Sequence, residues 1–121
     1  MEQLTKKERL VMDTLWNSKI ALSASEIMEV SNENLNINTI QQVLRHLLSN
    51  NFIEVAEYGF NKKSIMRKYK PVVSQAKYIN SFISGKNRFE VLCGLVDQEE
   101  NIDSLNELQK YIDDKKKKLG D

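Results

Sequence analysis

Between Asn36 and Val55 the chain reads NINTIQQVLRHLLSNNFIEV, and its apolar positions change period partway along. Ile37, Ile40, Leu44, Leu47 and Leu48 recur at three- and four-residue intervals, the spacing of a helix that turns one side toward a core. Asn38, Thr39, Gln41, Gln42, Arg45 and His46 fall on the other side. From Ile53 the period becomes two, with Ile53, Val55 and Glu57 alternating against Glu54, Ala56 and Tyr58, as in a half-buried strand. Asn36 or Asn38 is the expected cap at the helix start. Asn50 and Asn51 mark its end, since asparagine tolerates the left-handed conformation that closes helices.

The flanking pattern extends this pair of elements in both directions. Thr5 with Glu8, and Ser23 with Glu26, each fit a capping box. The first predicts a helix to about Asn17 with Leu10, Val11, Leu15 and Trp16 inward; the second predicts a short helix over 25–30 that packs Ile27 and Val30. The polar stretch SNENLN joins this helix to the next. After the strand that begins at Ile53, GFNKK supplies a turn and SIMRKYK a second strand ending at Pro71. A helix-turn-helix followed by strand, basic turn and strand is the order of a winged helix. From Ser74 the helical period returns in three segments, carrying Tyr78, Ile79, Phe82 and Ile83, then Phe89, Leu92, Cys93 and Val96, then Ile102, Leu105, Leu108 and Ile112. Ser104 with Glu107 reads as a third capping box, and Lys115 to Lys118 suit the negative end of the last helix. The expected fold is mostly α with a small β-hairpin: a winged helix-turn-helix over 1–71, then C-terminal helices over 72–121. Fifty residues of short helices bury too little surface to enclose a core. Their apolar set, Tyr78, Phe82, Phe89, Leu92, Leu105, Leu108 and Ile112, is therefore expected to pair with a second copy of the chain in a two-fold dimer.

Composition narrows the function by exclusion. At 121 residues, 40% apolar and 29% charged, the chain fits an ordinary globular domain with an appendage. No apolar run reaches the roughly 18 residues a membrane helix needs, and MEQLTKKERL lacks the apolar core of a signal peptide, so a cytoplasmic protein without membrane partners is expected. One cysteine, Cys93, and one histidine, His46, give no metal-ligand spacing, and no cofactor motif is present. Nothing pairs a nucleophile with a base or forms a glycine-rich phosphate loop, which argues against an enzyme. Net charge is only +1, yet no acidic residue stands between Glu57 and Glu90 while Lys62, Lys63, Arg67, Lys68, Lys70, Lys77, Lys86 and Arg88 do. An acid-free basic segment after a polar helix is the electrostatic footprint of nucleic-acid binding.

The ordered set NINTIQQVLRHLLSNNFIEV, RKYKP and LTKKERLVMDTLW with Trp16 resembles the penicillinase-repressor family, the BlaI and MecI type of bacterial transcriptional repressor. The likeness covers nearly the whole chain. It implies a winged-helix domain that binds a palindromic double-stranded operator as a homodimer joined through its C-terminal helices. It also implies an inducing signal or protease that relieves repression. Family members that control β-lactamase are inactivated by cleavage of an Asn–Phe bond in the tail, where this chain has Cys93–Gly94 within EVLCGLVDQ; its Asn51–Phe52 lies elsewhere. Copper-responsive relatives carry several tail cysteines, and here Cys93 stands alone.

In a helix-turn-helix the second helix enters the major groove. Asn38, Thr39, Gln41, Gln42 and Arg45 are then the expected base and phosphate contacts, with His46 at the groove edge or against the wing. Asn and Gln pair with adenine and Arg with guanine, so an amide-rich face leans toward A·T. Lys62, Lys63, Arg67 and Lys68 of the wing are expected to hold phosphates. Two plainer readings compete: a polar face that merely meets water, and a winged-helix module that binds another protein without binding DNA.

Overall fold

The computed structural model describes residues 1–31, 35–61 and 64–120, the Asn61 side chain aside. Its elements are α1 (Lys6–Trp16), α2 (Ala24–Val30), α3 (Ile37–Ser49), β1 (Ile53–Asn61), β2 (Ser64–Pro71), α4 (Gln75–Asn80), α5 (Arg88–Asp97) and α6 (Ile102–Gly120). The chain divides into two compact units, Met1–Phe82 and Ile83–Asp121. The first is a winged helix-turn-helix and the second holds C-terminal helices.

Both expected capping boxes form. Thr5 Oγ1 accepts the Glu8 N–H while Glu8 Oε1 accepts the Thr5 N–H, and Ser23 with Glu26 repeats the exchange. Asn36, rather than Asn38, caps α3: its side-chain oxygen accepts the Thr39 N–H at 2.8 Å. At the other end Asn51 takes φ 62°, which lets the chain turn sharply so that the Phe52 N–H reaches the Leu47 carbonyl. That turn drops Phe52 and Ile53 into the core beside Val11, Met12, Leu15, Ile27, Ile40, Leu44 and Leu47. Each such fully buried aliphatic side chain contributes about 1.5–3 kcal/mol. Met12 and Val43 complete the helical stripes of α1 and α3, whereas Val30 departs from expectation. It is 59% exposed, because α2 is seven residues long and commits Ile27 to the core.

The hairpin is longer than the sequence pattern implied. Gly59, Phe60 and Asn61 belong to β1, opposite Met66, Ile65 and Ser64, so GFNKK is not all turn. Lys62 and Lys63 lie outside the described residues. A bulge between Val55 and Glu57 resets the alternation. Beyond it Glu57 pairs with Lys68, which moves it off the face of Ile53 and Val55, and Tyr58 and Phe60 take that face instead. Leu22 makes an isolated antiparallel bridge to β2 through Leu22 N–H to Tyr69 O (3.0 Å) and Tyr69 N–H to Leu22 O (2.8 Å).

The compact unit ends at Phe82 rather than at the expected boundary after Pro71. Tyr78 of α4 is the reason. It is 6% exposed, its ring centroid lies 5.7 Å from that of Trp16 in a tilted pair and 6.1 Å from that of Phe52 in an edge-on one, and its hydroxyl accepts the Leu4 N–H at 2.8 Å. The Trp16 indole N–H donates to the Val73 carbonyl at 2.9 Å, fastening the same corner. Tyr78 is thus a core residue of the first unit and not part of an exposed apolar set.

In the second unit no residue of α5 or α6 is buried. Phe89, Leu92, Leu108 and Ile112 are exposed and Leu105 is half-buried. The start of α6 is set by Asn101, whose Oδ1 accepts the N–H groups of Asp103 and Ser104, so Ser104 lies inside the helix and caps nothing. No helix among the described residues is long and apolar enough to cross a membrane.

Candidate nucleic-acid interface

The polar side of α3 stays clear of the core. Asn38, Gln41, Gln42 and Arg45 are exposed while Ile40, Val43, Leu44 and Leu47, interleaved with them, are buried. Thr39 is half-buried near the helix start. These side chains therefore share one outward surface because the apolar stripe fixes the rotation of the helix. Two clefts flank it. One, of about 300 Å³, lies between the start of α2, α3 and β2 and brings Gln41 together with Ser25, Ile65 and Arg67. The other, of about 260 Å³, lies between the first turn of α1 and α3 and brings Lys7 and Thr5 beside Thr39 and Gln42. Lys7 is a cation that the pattern along the chain did not single out, since only the packing of α1 on α3 sets it there. A further cleft, about 600 Å³ around Leu10, Ile20 and Val30, lies away from this surface. Duplex DNA engages projecting side chains, so cleft size is no guide to this site.

His46 turns toward α1 and not toward the wing. Its Nδ1 bonds to Glu8 Oε2, and its Nε2 meets the Asn50 amide nitrogen at 3.3 Å. A carboxylate only accepts, so Nδ1 carries the hydrogen and donates to Glu8, and Nε2 accepts from Asn50. Both ring nitrogens are thereby engaged within the protein. Glu8 is 6% exposed. Its burial works to raise the carboxyl's pKa, but the Thr5 N–H, the His46 ring bond and the Thr5 hydroxyl outweigh it, and the net shift is downward.

The wing cations differ among themselves. Arg67 is exposed and sits opposite Tyr58. Lys68 is half-buried and its ammonium lies 3.4 Å from Glu26, while Lys70 pairs across the hairpin with Glu54 at 3.3 Å. The Ser23 N–H, acting against partial desolvation and helped by the Ser23 hydroxyl and Lys68, holds the Glu26 carboxyl below its ordinary value. Gly59 makes room for this reach, since a Cβ there would stand 2.9 Å from Lys68 Cε. Lys68 is consequently tied to α2, which leaves Arg67 as the better placed of the two for a partner.

An outward polar helix, fixed by a three-helix core and flanked by a hairpin, defines a winged helix-turn-helix protein. The sequence profile of the penicillinase repressor family matches residues 4–114. The chain belongs to that family, one of DNA-binding transcriptional repressors. A comparison with curated proteins finds no match.

Proposed function

We propose that the protein is a cytoplasmic repressor that binds a palindromic operator as a homodimer, each protomer setting α3 in the major groove of one half-site. The supporting observation is the exposure of Asn38, Gln41, Gln42 and Arg45 on a helix whose other side is buried. Gln41, Gln42 and Arg45 read bases; Arg67, Lys7 and the wing lysines Lys62, Lys63 and Lys68 hold phosphates, Lys68 after leaving Glu26. Thr39 contacts the backbone from the first turn, and His46 braces α3 against α1. Phe82, Phe89, Leu92, Leu105, Leu108 and Ile112 supply the dimer contact. Release of repression comes from an inducer or a protease, and Cys93–Gly94, exposed in α5, differs from the Asn–Phe pair expected of cleaved relatives.

The test is to recover the duplex that the purified protein protects from fragmented genomic DNA, then to compare binding to it and to a scrambled duplex over a salt series. Gln42→Ala and Arg45→Ala should each lose about 1–3 kcal/mol on the protected duplex and little on the scrambled one. Arg67→Ala should weaken both together and reduce the slope of log affinity against log salt by roughly 0.9. A folded protein with no preference for any duplex would instead favour the protein-binding module.

A further inference from the structure

The two lysines of β2 meet carboxylates in different ways. Lys70 takes its cross-strand neighbour Glu54, at 3.3 Å, which is the pairing a ladder offers by default. Lys68 stands opposite Glu57, yet its ammonium crosses to α2 and lies 3.4 Å from Glu26 Oε1. Gly59 leaves the stem that path, since a Cβ there would stand 2.9 Å from Lys68 Cε. Lys68 and Glu26 are both more buried than Lys70 and Glu54, so water and salt screen them less. Glu26 is also fixed in place at the start of α2, where its Oε1 accepts the Ser23 N–H at 3.0 Å. That bond, outweighing partial burial, holds the carboxyl below its ordinary value and keeps it charged at neutral pH.

We infer that Glu26 is a positioning residue for DNA binding that acts through Lys68: its carboxylate stands in for phosphate, so the lysine must be released from α2 before it can grip DNA. This rests on the DNA-binding reading above, in which Lys68 holds phosphate, and adds that the protein itself opposes that contact. The location supports it. In a helix-turn-helix the first helix crosses the DNA backbone, and here that helix is α2. Ser25, next to Glu26 in its first turn, lines the same cleft as Gln41 of α3. A phosphate passing there meets the carboxylate as a like charge and the ammonium as its counterpart. An ammonium is a compact charge that serves either set of oxygens. The net gain from Lys68 is therefore its hold on phosphate less its hold on Glu26. That cost falls on every duplex that draws Lys68 away, so Glu26 lowers affinity without altering which bases α3 reads.

Glu26→Gln in the full-length protein separates this role from a structural one. Glutamine keeps the capping box, since its side-chain oxygen still accepts the Ser23 N–H, but it gives up the charge that holds the ammonium. Having lost the pair, the variant should unfold at a lower urea concentration than wild type. It should nonetheless bind the duplex that the wild-type protein protects about threefold more tightly, the scale of a partly exposed ion pair. A scrambled duplex should gain by the same factor. A residue that only supports the fold would move stability and affinity down together. Lys68→Met keeps the aliphatic stem and removes its charge, so it should weaken binding to both duplexes and reduce the slope of log affinity against log salt by roughly 0.9. Adding Glu26→Gln to that variant should then leave affinity unchanged. Unaltered or weaker binding by Glu26→Gln alone overturns the inference and leaves the DNA-binding reading standing. A gain that persists in the Lys68→Met background also overturns it, because the carboxylate would then act by repelling phosphate directly. Absence of any specific binding by the wild type overturns both readings.

Discussion

Glu8 serves two elements at once, and the sequence revealed only one of them. Its place three residues after Thr5 announced the capping box. Its bond to His46, 38 residues away, depends on how α1 crosses α3 and has no local signal. The consequence is a dependence on acid. A carboxyl whose folded pKa lies below its unfolded value, about 4.3–4.5 for Glu, contributes stability that is fully present above that value. That stability is lost as pH falls through the folded value. Glu8 and Glu26 are both shifted down, so the first unit should begin to lose stability below about pH 4.5. Glu8→Gln removes one of the two titrations. Urea unfolding followed by fluorescence of Trp16 should give a less stable variant at pH 7 and a shallower decline from pH 5 to 3. Parallel declines in wild type and variant would mean that the Glu8 carboxylate contributes nothing to the fold.

The elements themselves were legible where local chemistry dictates them, and less so where tertiary context intervenes. Thr5, Ser23, Asn36 and Asn51 fixed helix ends through hydrogen bonds within three residues or through a single backbone angle. The bulge at Val55/Glu57 was invisible, since IEVAEY alternates equally well without it. α4 shows the same limit more sharply. Its period announced a helix, but nothing in QAKYIN indicates which core receives Tyr78. Six residues cannot hold a helix in water unaided, so the Ser74 cap and the aromatic cluster of Trp16, Phe52, Tyr78 and Phe82 must do so. Tyr78→Ala is accordingly expected to cost the first unit about 3–5 kcal/mol, in the range of buried aromatic truncations. Tyr78→Phe should cost about 1 kcal/mol through the lost partner of the Leu4 N–H. Denaturant midpoints would measure both. Self-association through the proposed dimer contact should be unaffected by Tyr78→Phe, and a clear weakening of it in that variant would return Tyr78 to that contact.

At the scale of the whole molecule the two units differ in how they dispose of apolar side chains. The first buries a dozen, from Val11 to Tyr78, around one core. In the second, Phe89, Leu95 and Ile102 are at least 65% exposed and no helical residue is buried. A helix of 19 residues such as α6 has an apolar side, Leu105, Leu108 and Ile112, that gains nothing from water. A second chain offering the same surface would cover it under two-fold symmetry. The full-length protein is therefore expected to sediment as a dimer at micromolar concentration. A chain ending at Phe82 should be a folded monomer, because that cut spares Tyr78, whereas a cut at Pro71 would remove it and unfold part of the core. With its two half-site readers unlinked, the 82-residue chain should bind the operator about 10²-fold or more weakly, yet keep the same base preferences. Sedimentation equilibrium on both chains and binding to one operator settle the matter jointly. A full-length monomer, or a shortened chain that binds as tightly as the whole, would show that the exposed face of α5 and α6 has some other use.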